Sequence, residues 1–361
     1  MASVKSWDVI IVGGGIIGLS LAIALRKRGA QVLVVERGEP GREASHAAAG
    51  MLADCMLETP ALLQPLAAAS ARMYPEFAHE LQDESGIDVD LREQGSLVFP
   101  PPEHFHERPG VTTGSLLPAP LAELEPGLGD PHGVAFHLKE RSVDPRALSA
   151  ASLKAAKHRE VDVSSGTAVT EVLMEGDRVS GVKTDKTSYH APMVVNCAGA
   201  WAGQVPPGHF PTRPVKGQML SVVGAPFKLQ HVIRAPEVYL VPRSDGRILI
   251  GATLEEAGYD KRTVPETIQR MHRAAIAMFP GLRGARVLEA WAGLRPGTPD
   301  AMPILGATET RGYFVATGHF RDGILLAPVT AHLMAQVITN SKPDCNLGPF
   351  SPDRFIREAR L

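Results

Sequence analysis

The chain has 361 residues, of which 44% are hydrophobic and 21% charged, with a formal net charge of −2. This composition is typical of a globular protein with a sizeable core, and a charge so near zero gives no indication of binding to nucleic acid or anionic membranes. No apolar run is long enough to cross a bilayer, and the N-terminus leaves no room for a secretion signal before the first apolar run. The three cysteines are far apart and the thirteen histidines show no metal-binding spacing, so we predict no metal site and a cytoplasmic location.

The first predicted unit is a strand, a helix and a second strand within residues 7–38. An apolar run at 9–12 is typical of a strand buried on both faces. A helical pattern follows and ends at Gly29, and a second apolar run occupies 32–35. This order predicts a βαβ unit at the start of a parallel sheet.

Three glycines between the first strand and the helix have dinucleotide-binding spacing. Gly13 allows a tight turn, Gly15 allows close approach to a pyrophosphate, and Gly18 allows close packing of helix on strand. Glu36 ends the second strand, where it can accept hydrogen bonds from a ribose. The unit therefore predicts a dinucleotide cofactor, but it does not choose between NAD and FAD.

The segment at 37–53 is rich in glycine, alanine and serine. It is compatible with a plain loop that enters an alanine-rich helix, and also with a backbone that lies against a flat ligand. A helical pattern then extends over 57–85. Strands are predicted at 89–91, 96–99 and 134–138, with a short helix at 118–125 and loops at Pro100, Pro101 and Pro109.

A helix at 145–158 has Asp144 in the capping position and Pro145 in its first turn. Strands are predicted after it at 161–163, 169–174, 178–184 and 193–197. The second and third of these flank the turn at 175–177, which indicates a hairpin.

The remaining chain alternates between strands and single helices. Strands are predicted at 215–223, 238–242, 248–252, 286–294 and 313–316, helices at 265–279 and 324–338, and a turn at 318–323. We therefore predict two discontinuous domains. A cofactor domain would comprise residues 1–56, 140–212 and 288–361, and a substrate domain would comprise 57–139 and 213–287. Ligand sites favour clefts between such domains.

Several motifs together resemble a known family. WAGLRPGTPDAMPILG at 291–306 and YFVATGHFRDGILLAP at 313–328 are similar to the C-terminal half of the D-amino-acid oxidase superfamily of FAD enzymes. VIIVGGGIIGLSLA, SHAAAGMLA, VVNCAGAWA, VDPRAL and VYLVPR agree in the same order, and glycine oxidases of thiazole (thiamine) synthesis are the most similar members.

The resemblance implies a two-domain flavin amine oxidase fold of the α/β class (α+β over the whole chain). A Rossmann-like domain would bind FAD without a covalent bond, because no cysteine lies in 291–320, and a second domain would carry a mainly antiparallel sheet. The resemblance implies cofactor contacts from the residues named here: Gly13, Gly15, Ile16, Ile17, Gly18, Glu36, Arg37, Ser45, His46, Ala48, Ala49, Gly50, Met51, Val169, Cys197, Ala198, Gly199, Trp201, His319, Phe320, Arg321, Asp322, Gly323 and Ile324.

The last helix contains Pro328, which is tolerated only in a first turn, so we expect the helix to begin near 323–325. By resemblance its N-terminus would face the flavin pyrimidine ring, where a partial positive charge stabilises reduced flavin.

By resemblance, three residues lie at the site of reaction. Arg321 lies near the flavin, and Tyr239 lies beside the substrate carboxylate. Arg295 stands among apolar and rigid neighbours, where its charge needs an anionic partner. Without the resemblance that partner is equally an internal Asp or Glu; with it, we expect Arg295 to bind the substrate carboxylate in a bidentate manner.

The activity implied is oxidation of glycine, or of another small amine or D-amino acid, by hydride transfer from Cα to the flavin, with oxygen as acceptor and hydrogen peroxide as product. Two alternatives remain open: a dehydrogenase that passes electrons to a quinone or carrier, and an NAD-binding module or structural flavin subunit. The sequence does not determine which amine is the substrate, because Glu237 and Leu254 stand at pocket positions that vary within the family. It also does not determine whether the protein serves thiamine synthesis. The oligomeric state is open as well, and a homo-oligomer is possible.

Overall fold

The computed structural model describes residues 6–54, 59–99, 120–129, 135–207, 209–225 and 228–358. Within these ranges helices cover one face of a first large sheet, a small antiparallel sheet covers its other face, and a further helix packs against a second large sheet. The helices are α1 (Ile16–Lys27), α2 (Ala44–Ala47), α3 (Gln64–Ser85), α4 (Leu121–Leu124), α5 (Pro145–His158), α6 (Pro265–Met278), α7 (Ala327–Ile338) and α8 (Asp353–Glu358).

The strands of the described ranges fall into four sheets. They are β1 (Val9–Val12), β2 (Val32–Val35), β3 (Met51–Leu52), β4 (Ser96–Val98), β5 (Phe136–Leu138), β6 (Arg141–Ser142), β7 (Asp162–Ser164), β8 (Val169–Glu175), β9 (Arg178–Thr184), β10 (Ser188–His190), β11 (Met193–Asn196), β12 (Arg213–Val223), β13 (Val232–Arg234), β14 (Tyr239–Pro242), β15 (Ile248–Gly251), β16 (Arg286–Gly297), β17 (Ile304–Ala307) and β18 (Tyr313–Thr317).

A six-stranded sheet in the order β17-β18-β11-β1-β2-β7 contains the predicted βαβ unit. β1 pairs in parallel with β2 and with β11, so that Val9 lies opposite both Val32 and Met193. Only β17 pairs antiparallel, with β18. β1 and β2 are buried along their whole length, which is why both appear in the sequence as unbroken apolar runs.

A seven-stranded sheet in the order β16-β12-β15-β14-β13-β4-β5 forms the second layer. Its pairings are antiparallel except between β13 and β4. One face packs against α6 through a core that includes Leu220, Val222, Met271 and Ala275. The fold class predicted from the sequence is confirmed: an α/β layer with a mostly parallel sheet stands beside a layer with a mainly antiparallel sheet.

Two smaller sheets hold the remaining strands of the described residues. β8, β9 and β10 form an antiparallel sheet in which the predicted hairpin at 175–177 is present, and β3 pairs with β6. The predicted cap of α5 is also present, because the Asp144 side chain accepts hydrogen bonds from the amides of Arg146 and Ala147.

Some predicted elements differ from the structure. No strand covers 89–91, because Asp90 adopts a positive φ of 52° and its amide turns back to the Asp88 carboxylate. α3 begins at Gln64 and not at 57, since Pro65 stands in its first turn, and residues 55–58 lie outside the described part. The loops at Pro100, Pro101 and Pro109 and the start of the strand at 134–138 also lie outside it.

α7 begins at Ala327, later than the expected 323–325. Pro328 stands in its first turn as required, but the preceding residues form separate turns, with Leu326 N donating to Asp322 O and Ala327 N donating to Ile324 O. The prediction of the start was therefore wrong by at least two residues, and residues of these turns, not the first turn of the helix, face the interior site described below.

The division into two discontinuous domains stays a prediction. β16 runs without interruption from Arg286 to Gly297 in the seven-stranded sheet, so the boundary expected between 287 and 288 falls inside a strand. Among the described residues, no helix combines the length and the apolar character that a membrane span needs.

Candidate functional site

A cavity of about 950 Å³ lies between the two large sheets. Its lining comes from the carboxyl ends of β1, β2, β11 and β18 on one side and from β12, β14 and β16 of the seven-stranded sheet on the other. The carboxyl ends of parallel strands are the usual ligand-binding edge of an open α/β sheet, and the volume falls in the range of cofactor sites.

The glycine turn after β1 closes one end of this cavity. Gly13 has a φ of 109°, and a Cβ there would lie 2.4 Å from the Cys197 carbonyl oxygen. A Cβ on Gly18 would lie 2.1 Å from the Gly13 carbonyl oxygen, so this glycine allows α1 to pack on the turn. Gly15 differs, since its nearest protein neighbour would be Ser45 Oγ at 3.4 Å; the space that it leaves open belongs to the cavity.

Glu36 binds the glycine turn with both carboxylate oxygens. Oε2 accepts from the Gly14 amide at 2.8 Å, and Oε1 accepts from the Gly38 amide at 2.8 Å. Each oxygen keeps a second lone pair, and Glu36 lines the cavity. The geometry fits the predicted contact with a ribose and adds a role in shaping the loop.

The first turn of α1 offers donors to an anion. The Ile16 amide donates to Ser45 Oγ at 2.9 Å. The amides of Gly15 and Ile17 meet no acceptor in the described part of the chain, and both residues line the cavity. Free amides and the positive end of a helix dipole suit a pyrophosphate, so the residues present fit the cofactor that the sequence implied.

The small-residue segment after Glu36 is held firmly against the cavity wall. Trp291 Nε1 donates to the Ala47 carbonyl at 3.2 Å, and Arg243 Nη2 donates to the Ala49 carbonyl. Gly293 has no room for a side chain, because a Cβ would lie 2.3 Å from the Ala47 Cβ. Of the two interpretations of this segment, a backbone lying along the ligand cavity is the one that its position favours.

Arg243 is the charged group behind that segment. It is buried, and burial lowers its pKa to about 10 against the opposing effects of Asp144 and Asp90. Arg243 ends the VYLVPR motif, but the sequence assigned it no role, because its partner is a backbone carbonyl 194 positions away.

An aromatic stack borders the end of the cavity beside Glu36. The Arg37 guanidinium lies 3.6 Å from the ring centre of Trp201, and Trp201 stacks on Tyr259 at 5.3 Å. Val169 also lines this end. The sequence predicted Arg37, Trp201 and Val169 but missed Tyr259, which lies in a loop without a motif.

Arg295 and Tyr239 meet on the face of the seven-stranded sheet that lines the cavity. Arg295 Nη1 donates to the Thr253 carbonyl at 3.1 Å, and its guanidinium lies across Gly217, where a Cβ would come within 2.4 Å of Nη1. Burial raises the pKa of Tyr239, and the charge of Arg295 opposes that rise. A Cβ on Gly251 would lie 2.6 Å from the Tyr239 hydroxyl, so both side chains rest on glycines.

No Asp or Glu in the described ranges lies within salt-bridge distance of Arg295. The alternative of an internal carboxylate partner therefore finds no support among these residues. Gly217 and Thr253 were missed by the sequence analysis. The sequence signal that could have found Gly217 is its place inside a strand, because such a glycine often marks a point where another group approaches the backbone closely.

The turn before α7 supplies a third wall with unusual titration properties. His319 is buried and its Nε2 lies 3.1 Å from Thr330 Oγ1; burial lowers its pKa to about 3, so the ring is neutral. Burial raises the pKa of Asp322 to about 6, against the charge of Arg321. Arg321 is exposed at the rim, with its guanidinium 5.5 Å from the Phe320 ring.

The structure brings nearly all predicted site residues to this one cavity. Lining it are Gly13, Gly15, Ile16, Ile17, Glu36, Arg37, Ser45, Ala48, Ala49, Gly50, Met51, Val169, Cys197, Ala198, Gly199, Trp201, Tyr239, Arg295, His319, Phe320, Arg321, Asp322, Gly323 and Ile324. Gly18 and His46 do not line it. Gly18 packs under the turn, and His46 turns to Arg42, with Nε2 2.9 Å from Arg42 Nη1. The described residues contain no group of three His, Cys, Asp or Glu side chains that could hold a metal ion.

Comparison with known proteins identifies the family of the chain. Residues 8–337 match the family described as DAO, FAD dependent oxidoreductase. The chain is 37% identical to the bifunctional protein ThiO/ThiG of Synechocystis sp., in an alignment that covers 97% of this chain and 54% of that protein. This chain therefore spans about half the length of such relatives. It is 34% identical to the glycine oxidase of Pseudomonas aeruginosa, over 95% of this chain and 98% of that one. The crystal structure of glycine oxidase from Geobacillus kaustophilus superposes with a TM-score of 0.90 at 31% identity, over 97% of this chain and 99% of that chain.

Proposed function

The chain belongs to the DAO family of FAD-dependent oxidoreductases, and from that membership we propose that it oxidises glycine, or a similarly small amine or D-amino acid, to the imine. The substrate loses two electrons together with the Cα–H and N–H hydrogens. The imine hydrolyses to a 2-oxo acid and ammonia, and oxygen takes up two electrons and two protons as hydrogen peroxide.

FAD supplies the two-electron acceptor chemistry when it is bound. On the side of the protein, the amides of Gly15 and Ile17 would hold the pyrophosphate, and Glu36 would hold the ribose. The stack of Arg37 on Trp201 would cover the nucleotide end. We also propose that FAD is bound without a covalent link to the protein.

The observation that carries the substrate class is the guanidinium of Arg295. It lines the cavity, lies flat on Gly217, and meets no carboxylate among the described residues. A planar cation held in this way binds a substrate carboxylate through two parallel hydrogen bonds, and the Tyr239 hydroxyl beside it can donate a third. Holding the carboxylate orients the Cα, which is a positioning effect and not proton transfer.

The relatives named glycine oxidase support a small substrate, since they match almost the full chain. Oxygen as the acceptor, a homo-oligomeric assembly and a cytoplasmic location are also proposals; the last rests on the small, odd number of cysteines.

The test is anaerobic titration of the purified flavoprotein with glycine, sarcosine, D-alanine, D-proline and L-amino acids, followed by admission of air. We expect glycine or another small amine to bleach the flavin bands and air to restore them with stoichiometric peroxide. Bleaching without peroxide, but with turnover on a quinone, would establish the dehydrogenase instead. Flavin bands that no amine bleaches would contradict an amine-oxidising function altogether.

A further inference from the structure

The Thr253 carbonyl, which accepts from Arg295 Nη1, belongs to a segment with little packing of its own. The segment follows β15, and Ala252, Thr253 and Leu254 line the main cavity on one side. The same three residues line a smaller cavity of about 550 Å³ on the other side. With space on both sides, the position of this carbonyl depends on hydrogen bonds and not on a surrounding core.

Those hydrogen bonds converge on Glu255. Its backbone exchanges two bonds with Lys216 of β12, with the Glu255 amide donating to the Lys216 carbonyl at 3.0 Å and the Lys216 amide donating to the Glu255 carbonyl at 2.9 Å. Its Oε1 accepts from the Thr253 hydroxyl and from Gln218 Nε2, the latter at 2.8 Å. The Thr253 hydroxyl in turn accepts from the Gln218 amide at 2.9 Å.

The residues that hold Glu255 are themselves buried. Lys216 is 2% exposed and Gln218 0% exposed, and Lys216 Nζ lies 3.8 Å from Glu255 Oε2. Burial would raise the pKa of Glu255, but the hydrogen bonds from Thr253 and Gln218 and the charge of Lys216 outweigh it and lower the pKa. Glu255 is therefore ionised at neutral pH and makes charge-assisted hydrogen bonds, which are the stronger kind.

These contacts form one connected path. Along β12, Gly217 faces the cavity and carries the guanidinium of Arg295, while Lys216 and Gln218 on either side of it bind Glu255. Glu255 holds Thr253, and Thr253 holds Arg295 from the side. β12 therefore fixes the guanidinium directly through Gly217 and indirectly through Thr253, which both Glu255 and the Gln218 backbone hold.

We propose that Glu255 is a positioning residue for the substrate carboxylate, acting through the Thr253 carbonyl on the orientation of Arg295. The inference rests on the proposed function, in which Arg295 binds that carboxylate. Without Glu255, Thr253 keeps only its bonds to the Gln218 backbone, so its carbonyl is held less firmly. The two donors of Arg295 then no longer meet both carboxylate oxygens together.

The test compares Glu255→Ala, Glu255→Gln and Thr253→Val in the FAD-loaded protein. The probe is acetate, which has the carboxylate of glycine but no amine to oxidise, and its Kd is measured by calorimetry and by perturbation of the flavin spectrum. For Glu255→Ala and Thr253→Val we expect acetate to bind about tenfold more weakly, or about 1.4 kcal/mol. The KM for glycine should rise more than kcat falls, with FAD content unchanged. Glu255→Gln keeps an oxygen acceptor for Thr253 and should recover most of the loss.

The matched control is Glu256→Gln. Glu256 is the next residue, and its exposed ion pair with Arg213 at 3.2 Å makes no contact with the path. We expect its acetate affinity to equal that of the parent. If Glu255→Ala fails to fold, Thr253→Val decides, because it keeps the pair of Lys216 with Glu255 and removes only the hydroxyl.

Arg295→Ala separates the two proposals. If Arg295→Ala loses acetate binding while Glu255→Ala or Thr253→Val keeps the Kd of the parent, the positioning role of Glu255 is overturned and the function stands. If Arg295→Ala binds acetate as the parent does, the carboxylate site itself is wrong.

Discussion

Arg295 combines the features of a ligand-binding guanidinium. It donates from Nη1 to a backbone carbonyl, rests on Gly217 and lines the cavity beside Tyr239. A lysine at this place would reach the same region as a single ammonium, without the planar pair of donors.

We therefore expect Arg295→Ala to keep its fold and FAD and to lose about 2–5 kcal/mol of transition-state binding for glycine. Arg295→Lys should recover only part of that loss. Steady-state kcat/KM of both variants, with the melting temperature as a control for folding, measures the effect. A variant that unfolds but whose active fraction keeps a normal KM would show that the arginine supports the core instead.

His319 gives the molecule a pH dependence of known sign. Its pKa is about 3 when folded and 6.5 as a free side chain, because burial disfavours the charged ring. Below pH 6.5 the unfolded chain binds a proton that the folded chain does not bind, so this group reduces stability as the pH falls from 6.5 towards 3.

Between pH 7 and pH 5 this single residue should cost about 2 kcal/mol of unfolding free energy. His319→Gln, which can still hydrogen-bond Thr330, should lose correspondingly less stability over the same interval. Urea unfolding of both proteins at the two pH values tests this. An equal loss in both would mean that another group is responsible.

At the scale of elements, α3 holds the turn that precedes α7. Tyr74 Oη donates to the Ile324 carbonyl at 2.6 Å, and Ser70 Oγ donates to the Leu325 carbonyl at 2.6 Å; both side chains are fully buried. The turn also lines the cavity, so packing between these helices shapes one wall of the site.

Tyr74→Phe would leave the Ile324 carbonyl buried without its donor, which costs about 1–3 kcal/mol. We expect a lower melting temperature and faster loss of FAD on dialysis. Tyr189→Phe is a matched control: its hydroxyl lies 3.0 Å from Ser164 Oγ in a half-buried position, away from the cavity. If both variants lose FAD equally, the contact of Tyr74 has no specific role at the site.

At the scale of the whole molecule, the cavity separates the two main sheets. One core is centred on the parallel sheet and another lies beneath α6, and residues of both layers line the cavity between them. A ligand that fills this space contacts both layers and binds only the folded chain.

FAD should therefore stabilise the protein by mass action, by about 2.7 kcal/mol at a concentration one hundred times its Kd. The measurement is the melting temperature of the apoprotein with increasing FAD, with NAD at equal concentration as the control. Glu36→Ala should need more FAD for the same shift. An equal shift with NAD would contradict specificity for the flavin nucleotide.

Local patterns in the sequence were sufficient wherever the contacts are local. The βαβ unit, its glycine turn and the cap of α5 depend on residues close in sequence or on continuous burial, and their positions match the structure. Nearly all residues that the family motifs predicted for the site do line the cavity, although the motifs missed many other lining residues and did not show how the side chains are held.

Contacts between distant residues decided the rest. Gly217 and Thr253 meet Arg295 from 78 and 42 positions away in the chain, and no pattern around any of the three indicates the others. The strand expected at 89–91 failed because Asp90 turns, and α7 starts late because separate turns precede it. The neutral state of His319 follows from its burial.

By itself the sequence determined the kind of cofactor turn and the class of fold, because spacing and hydrophobic period control them. Only tertiary packing decided which groups surround the Arg295 guanidinium and whether the His319 ring is charged. The reason is that desolvation and cross-strand contacts exist only in the folded chain.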